Sequence, residues 1–489
     1  MNTLLLLAPL AAPGLAAATY LALGWRRVTA HVATAASAVI LADAIALAVH
    51  VVRHGPIGAA SGWLHADALS SFMLLGIGTI ALIAAAASPG YLASHEGEHE
   101  HEPGRSGRRY GVLVCLFLAA MATAVLAGNL GLAWIAIEAT TIVTAFLVGH
   151  TGSRTALEAA WKYTVICSTG IALALLGLVM LYDAARHANL AETDALNYTL
   201  LTSRAHALDP GVLRMAVAFL LLGFGAKAGL APLHSWLPDA HSQAPAPVSA
   251  LMSGVLLPVA LSQILRVTAI ANPALGPGYT RTLLTVMGLG TLLLAAIALI
   301  RQRDYKRMLA YSSMEHMGLI AIGAAIGTPL ALAAILLHIA GHGLAKAVAF
   351  TSAGHILATE HTTGIEDIKA LTRRQPVLAG IFAAALLALL GFPPFSLFVS
   401  ELALARAGFA AHLGLVIAAA LVLLLIAFAA LAHHGGRMLL GAADEDTPAP
   451  ALSTLTYPPL ITALVVLAAL GITAYPISAL LNAAAGVGH

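Results

Sequence analysis

Charge is what this chain has least of: aspartate, glutamate, lysine and arginine make up 9% of its 489 residues, against roughly 25% in soluble globular domains. That excludes a soluble domain of any size. The net charge of +2 is spread thinly over short connecting segments and carries no signal for nucleic acid. Cysteine is almost as scarce. The two present, Cys115 and Cys167, fall inside apolar runs, so the paired, spaced ligands of a metal cluster or a haem are missing. No G-x-x-x-x-G-K-[ST] loop and no dinucleotide fingerprint occur either. No cofactor is expected in this chain, and if it serves a redox machine, the electrons travel in other subunits.

Hydrophobic residues, by contrast, are 60% of the sequence. Runs of about 18 or more apolar residues recur from end to end, each long enough to cross a hydrocarbon core of about 30 Å as a helix. The expectation is an all-α polytopic membrane protein with fourteen spans, among them 212–235, 376–407 and 456–482. The first 25 residues lack a basic n-region and are read as a retained first helix. An even count puts both termini on one side. Of the 24 lysines and arginines, fifteen, including Lys306, are assigned to loops on one side and seven, including Arg266, to the other. The positive-inside rule then places the termini outside, in a bacterial or archaeal cytoplasmic membrane. Lys227 and Lys346 are left within the bilayer.

Two segments differ in composition. Ser94–Arg109 interleaves three histidines with four glutamates; such tracts can bind metal, but a solvated loop is the reading preferred here. The mixed-charge stretch Ala184–Gly211 offers a surface to a neighbouring subunit.

The chain is organised around Leu222–Arg266, where Lys227 sits in an apolar helix interrupted at Gly229 and Pro232. A second interruption at Gly391, Pro393 and Pro394 is followed by Glu401. Paired broken helices point to an inverted-repeat transporter and its ion site. The expected units are 110–270 and 271–434, two inverted five-helix repeats, preceded by three helices and a His/Glu-rich loop in 1–109 and followed by a loop and one span in 435–489.

A charged side chain in lipid costs about 2.5–3.5 kcal/mol on insertion scales, which makes each one a functional hypothesis. Six carry the argument. Glu138 lies among the hydroxyls of Thr140, Thr141 and Thr144; Lys227 lies in the first break; His338, His342 and Lys346 recur at i, i+4 and i+8 on one helix face; Glu401 follows the second break. Each alone is explained by a static ion pair that fixes helix register, but six together are costly unless they serve a path. His234, His316 and His355 are expected to be hydrogen-bonded core residues. With Ser253, Gln263 and Glu315, His234 and His316 complete the accessory positions. A lysine beside a carboxylate stays protonated and sheds its proton when the carboxylate is neutralised, and histidine relays it at neutral pH. Moving one charge against 100 mV takes about 2.3 kcal/mol, which must come from outside the chain.

The stretch GAKAGLAPLHSWLPDAHSQAPAPVSAL resembles the signature of the antiporter-like subunits of respiratory complex I, multi-subunit cation/proton antiporters and membrane-bound hydrogenases. KRMLAYSSMEHMGLI and GFPPFSLFVSEL look most like the component F type of hydrogenase-4 complexes. The resemblance implies a fourteen-helix fold, a central lysine at Lys227 modulated by Glu138, a hydrated axis at His338, His342 and Lys346, and proton exit at Glu401. One departure stands out: Pro258 occupies the position at which many members carry a bridging lysine or histidine. The implied function is proton, or alternatively sodium, translocation within a multi-subunit membrane complex with a peripheral redox arm. The alternatives are a subunit of a non-redox cation/proton antiporter, a subunit of an inorganic-carbon uptake complex, and a non-conducting structural subunit favoured by Pro258.

Overall fold

In lipid every backbone amide must be satisfied within its own segment, which leaves apolar runs of this length only the helix. The computed structural model describes residues 2–95, 104–440 and 457–486. Its first part comprises α1 (Asn2–Leu23), α2 (Val32–His54), α3 (Ala68–His95), α4 (Arg105–Leu126), α5 (Leu130–Val148) and α6 (Arg154–His187). Between α2 and α3 lies an antiparallel hairpin, β1 (Ile57–Ala59) and β2 (Leu64–Ala66), with Ile57 opposite Ala66. Then come α7 (Tyr198–Ser203), α8 (Pro210–Lys227), α9 (Trp236–Gln243), α10 (Ala246–Leu251), a π-helical turn over Met252–Leu256, and α11 (Leu257–Leu275). The last part comprises α12 (Pro277–Ile300), α13 (Tyr305–Ile326), α14 (Pro329–Glu360), α15 (Leu371–Arg374), α16 (Pro376–Leu389), α17 (Ser396–Ala410), α18 (Gly414–Leu440), α19 (Tyr457–Ile472) and α20 (Tyr475–Ala485).

Side-chain caps start the helices where the sequence supplies them. Asn129, Ser153, Asp209, Asp304 and Thr328 each accept a hydrogen bond from a first-turn amide of α5, α6, α8, α13 and α14, satisfying donors that no preceding turn can reach.

Among the described residues twelve helices are long and apolar enough to span a membrane, or thirteen if the pair α19–α20, bent by 72°, counts as one. The expected fourteen is not reached. The span expected at 376–407 is two helices of 14 and 15 residues, roughly 21–23 Å each at 1.5 Å per residue. Neither crosses alone. The span expected at 456–482 is likewise the bent pair and not one rod. Most of the His/Glu-rich loop, residues 96–103, lies outside the described residues.

Two basic residues assigned to loops are buried instead. Lys306, near the start of α13, donates to the Ala244 carbonyl just past α9 (2.9 Å). Arg266 lies in α11, where it grips Asp67 through both nitrogens at 2.9 and 3.1 Å, donates to Ser70 at 2.8 Å, and stacks 4.5 Å over Tyr198. Charge counting missed both, because Arg266 has its partner about 200 residues earlier in the chain and Lys306 its acceptor across a break.

Burial is uneven in a way that locates function. The windows through α10–α11, α13 and α14 are 94%, 94% and 89% buried, whereas that of α18 is 22% buried. α14 is the central rod, packed by α3, α10, α13, α16, α17, α19 and α20. Small residues let its neighbours close up, as Gly288 of α12 does against the Gly318 backbone of α13.

Asp67 lies just outside its helix and ties α3 to α11. Burial alone would push its carboxyl up, but the Arg266 guanidinium and the Ser70 amide hold it down at about 2. Asp67→Asn leaves a buried guanidinium without its counter-charge and should cost about 3–5 kcal/mol, read as a fall in the unfolding midpoint of the purified chain. The sign with pH follows from the lowered value. The pair's stabilisation is complete above the unfolded carboxylate value of ~3.9 and disappears as pH falls towards about 2; the asparagine variant should lack that acid-dependent limb.

Candidate functional site

The first break sets the position of Lys227. α8 ends on this residue, Gly229 turns the chain with φ +77°, and the Ala231–Pro232 bond is cis. A Cβ at Gly229 would come within 2.4 Å of Leu237. The backbone groups freed by the break are met by side chains: the Trp236 indole donates to the Ala226 carbonyl at 2.9 Å, and the Ala231 amide to Thr291 of α12 at 2.8 Å. The break can therefore sit at membrane depth.

Lys227 is completely buried. Its ammonium donates to Thr141 Oγ1 of α5 at 2.9 Å and to Tyr163 OH of α6 at 2.5 Å, and stands 4.7 Å from the centre of the Tyr163 ring. Glu138 lies one turn before Thr141 on the same helix. One carboxylate oxygen accepts from Ser168 at 3.1 Å, while the other is buried with no partner among the described residues. The described ion pairs do not join Lys227 to Glu138; Thr141 and Tyr163 occupy the ammonium instead.

The second half is built on α14. His338, His342 and Lys346 share one face, as their spacing predicts, and all three are fully buried. The Lys346 ammonium donates to Ser312 Oγ and, at 2.6 Å, to the Leu309 carbonyl, both on α13. Glu315, one turn beyond Ser312, is buried too. His316 is no isolated core residue: its Nδ1 shares a hydrogen bond with His338 Nε2 at 3.0 Å, and its ring lies 5.0 Å from that of His342. His338 Nδ1 in turn pairs with Ser400 of α17 at 2.9 Å. Glu401 follows, its carboxylate against Gly391 in the second break and beside a cavity of about 20 Å³ lined by α13, α17 and α18. Gly391 has φ +67° and the Pro393–Pro394 bond is cis, so the two breaks share their turn chemistry.

Between the halves stands His241 of α9, which sequence reasoning passed over as part of a turn. It is fully buried, and neither ring nitrogen has a hydrogen-bond partner among the described residues. Its ring is 6.0 Å from Trp236, which packs on Tyr163 at 5.0 Å, and 5.9 Å from Phe350, one turn beyond Lys346. Of the two accessory positions flanking Pro258, Ser253 shares a hydrogen bond with Ser313 at 2.7 Å, next to the Ser312 that holds Lys346. Gln263 instead donates to Ala124 of α4 at 3.2 Å and is not brought to the row. His234 is hydrogen-bonded to the nearby Pro232 carbonyl but is partly exposed and so is not the core residue expected.

Two interrupted apolar helices joined through the bundle interior by a line of titratable side chains define a polytopic membrane protein of the antiporter-like class. The chain belongs to the NADH:quinone oxidoreductase/Mrp antiporter transmembrane family, whose pattern matches residues 127–427. It is 41% identical over 347 residues to the hydrogenase-4 component F homolog of Methylacidiphilum infernorum, a match covering 70% of this chain and 72% of that protein. It is 32% identical over 382 residues to NADH-quinone oxidoreductase subunit N of Desulforudis audaxviator, covering 76% and 73%. In fold it is similar to a chain of the membrane-bound sulfane sulfur reductase, an archaeal respiratory membrane complex, with a TM-score of 0.87 at 23% identity over 99% of this chain and 97% of that one.

The lysine site makes a simple test. Tyr163→Phe keeps the ring beneath the ammonium but removes one of its two hydroxyl acceptors, so a buried donor loses its partner at a cost of about 1–3 kcal/mol. The expected result is a lower thermal midpoint at neutral pH, with Tyr163→Phe combined with Lys227→Met recovering much of the loss.

Proposed function

We propose that this chain is a proton-translocating subunit of a multi-subunit complex in a bacterial or archaeal cytoplasmic membrane, with both termini outside. The redox chemistry that drives it belongs to partner subunits of hydrogenase-4 or NADH:quinone oxidoreductase type, and the chain holds no cofactor of its own. The observation that carries this reading is the line of buried titratable groups running from Glu138 and Lys227, past His241, to Lys346, His342, His316, His338 and Glu401. Family membership through residues 127–427 supports it.

The working cycle follows from the environment of each group. Lys227 loads while Glu138 is ionised, because a nearby negative charge favours the ammonium. Neutralising or withdrawing that charge leaves a desolvated lysine with only hydroxyl partners, and its proton moves on. His241 is buried between the two halves, with neither ring nitrogen hydrogen-bonded among the described residues, so it can accept from one side and donate to the other through water, taking the place of the group that Pro258 lacks. Lys346 stores the proton in the second half, and His316 and His338 pass it to Glu401.

Lys227→Ala or Glu138→Ala should abolish proton translocation by the reconstituted complex while the chain remains inserted and assembled; unimpaired pumping in both variants overturns the assignment. The crossing has its own test. His241→Phe fills the same space without a titratable group and should slow translocation at least tenfold, whereas Gln263→Leu should leave it near the parent rate. Full activity in His241→Phe would move the crossing elsewhere, and loss of activity in neither Lys227 nor His241 variants would favour the structural-subunit reading that Pro258 suggests. Co-purification with small antiporter subunits in place of redox subunits would make the exchange non-redox.

A further inference from the structure

The cluster at the second break can hold more than a proton. His316 of α13, His338 of α14 and Glu401 of α17 each present a ligand-type atom, and the three atoms lie within 4.8 Å of one another. The residues are separated widely in sequence, so no contiguous motif announces them. Both imidazoles are fully buried. His316 Nε2 has no hydrogen-bond partner among the described residues, and neither do the two nitrogens of His342, whose ring lies 5.0 Å from that of His316 at an angle of 55°. Buried polar atoms are normally paired, so these nitrogens point to something that is bound there. Glu315, also buried and next to His316 in sequence, adds a second carboxyl group to the surroundings.

We propose that His316, His338 and Glu401 form a site for a divalent transition-metal ion of the zinc type, which acts on this protein as a blocker. Two imidazoles and one carboxylate are a zinc donor set with a fourth position open to His342 or to water. Calcium or magnesium would need six or more oxygens that the cluster does not supply. On binding, the His316–His338 hydrogen bond of 3.0 Å breaks, and each ring turns a lone pair to the ion. All three groups are then tied up as ligands and none can pass a proton. The binding stands on the cluster alone; the block rests on the proton path proposed above.

The test uses the purified full-length chain in lipid nanodiscs, with His95, His99 and His101 replaced by alanine so that the His/Glu-rich segment contributes no imidazole. Titration with Co²⁺ and Zn²⁺ should show one ion per chain. Bound Co²⁺ should display the intense visible bands of four-coordination, and the Zn²⁺ X-ray absorption should fit two imidazoles. Glu401→Gln and His316→Gln should each weaken binding at least tenfold. An all-oxygen, six-coordinate shell overturns the proposal, as does unchanged affinity in both variants. If a variant does not fold, the spectrum of the parent chain decides. In the intact complex Zn²⁺ should arrest proton translocation. Should Zn²⁺ bind as described while translocation continues, the metal site stands and the path through α13, α14 and α17 fails.

Discussion

The structure is arranged around the ammonium groups of Lys227 and Lys346, both kept out of water with no carboxylate bonded to either among the described residues. Lys227 is held by two hydroxyls and an aromatic face, Lys346 by a serine and a main-chain carbonyl. A buried charge that lacks its counter-ion costs several kcal/mol, and the fold meets that cost by geometry. Lys227 is the last residue of α8, where the negative end of the helix dipole and the open carbonyls favour a cation. Glu401 lies in the second turn of α17, against Gly391 of the second break. The groups beside the breaks are neither locked as ion pairs among the described residues nor free in water.

That intermediate condition is what a carrier of protons needs. A lysine locked to a carboxylate would hold its proton through the cycle, while an exposed lysine would exchange it with the nearest water. The hydroxyl-held ammonium changes protonation when one neighbouring charge changes, and Glu138, whose second oxygen has no partner among the described residues, is placed to be that neighbour. The fixed pair Asp67–Arg266 shows the contrast within the same bundle: bidentate, buried and doubly bonded, it fastens α3 to α11.

Much of this was legible in the sequence. Apolar run length gave the helices, glycine and proline gave both breaks, and the four-residue spacing of His338, His342 and Lys346 gave their common face. What periodicity could not give was contact between distant segments. His316 looked like a lone core histidine because its partner His338 lies on another helix; Arg266 looked like a loop residue because Asp67 lies at the base of α3. His241 was hidden by its neighbours, since LPDAHSQAPAP reads locally as a turn and only the folded structure sets its ring 6.0 Å from Trp236 of the same helix and 5.9 Å from Phe350 of α14. The count of fourteen is not confirmed: the break within 376–410 was legible at Gly391, Pro393 and Pro394, whereas the bend that divides 457–485 into two pieces was not.

On the proposed path the two lysine sites communicate through His241, since Pro258 stands where the sequence resemblance implies a bridging group. The most direct measurement is a structure of the assembled complex at a resolution that shows ordered water. The account predicts waters on both ring nitrogens of His241, one leading towards Tyr163 and Lys227 and the other towards Lys346. A His241 ring packed dry on both edges, with apolar side chains closing the gap to either lysine, would contradict it.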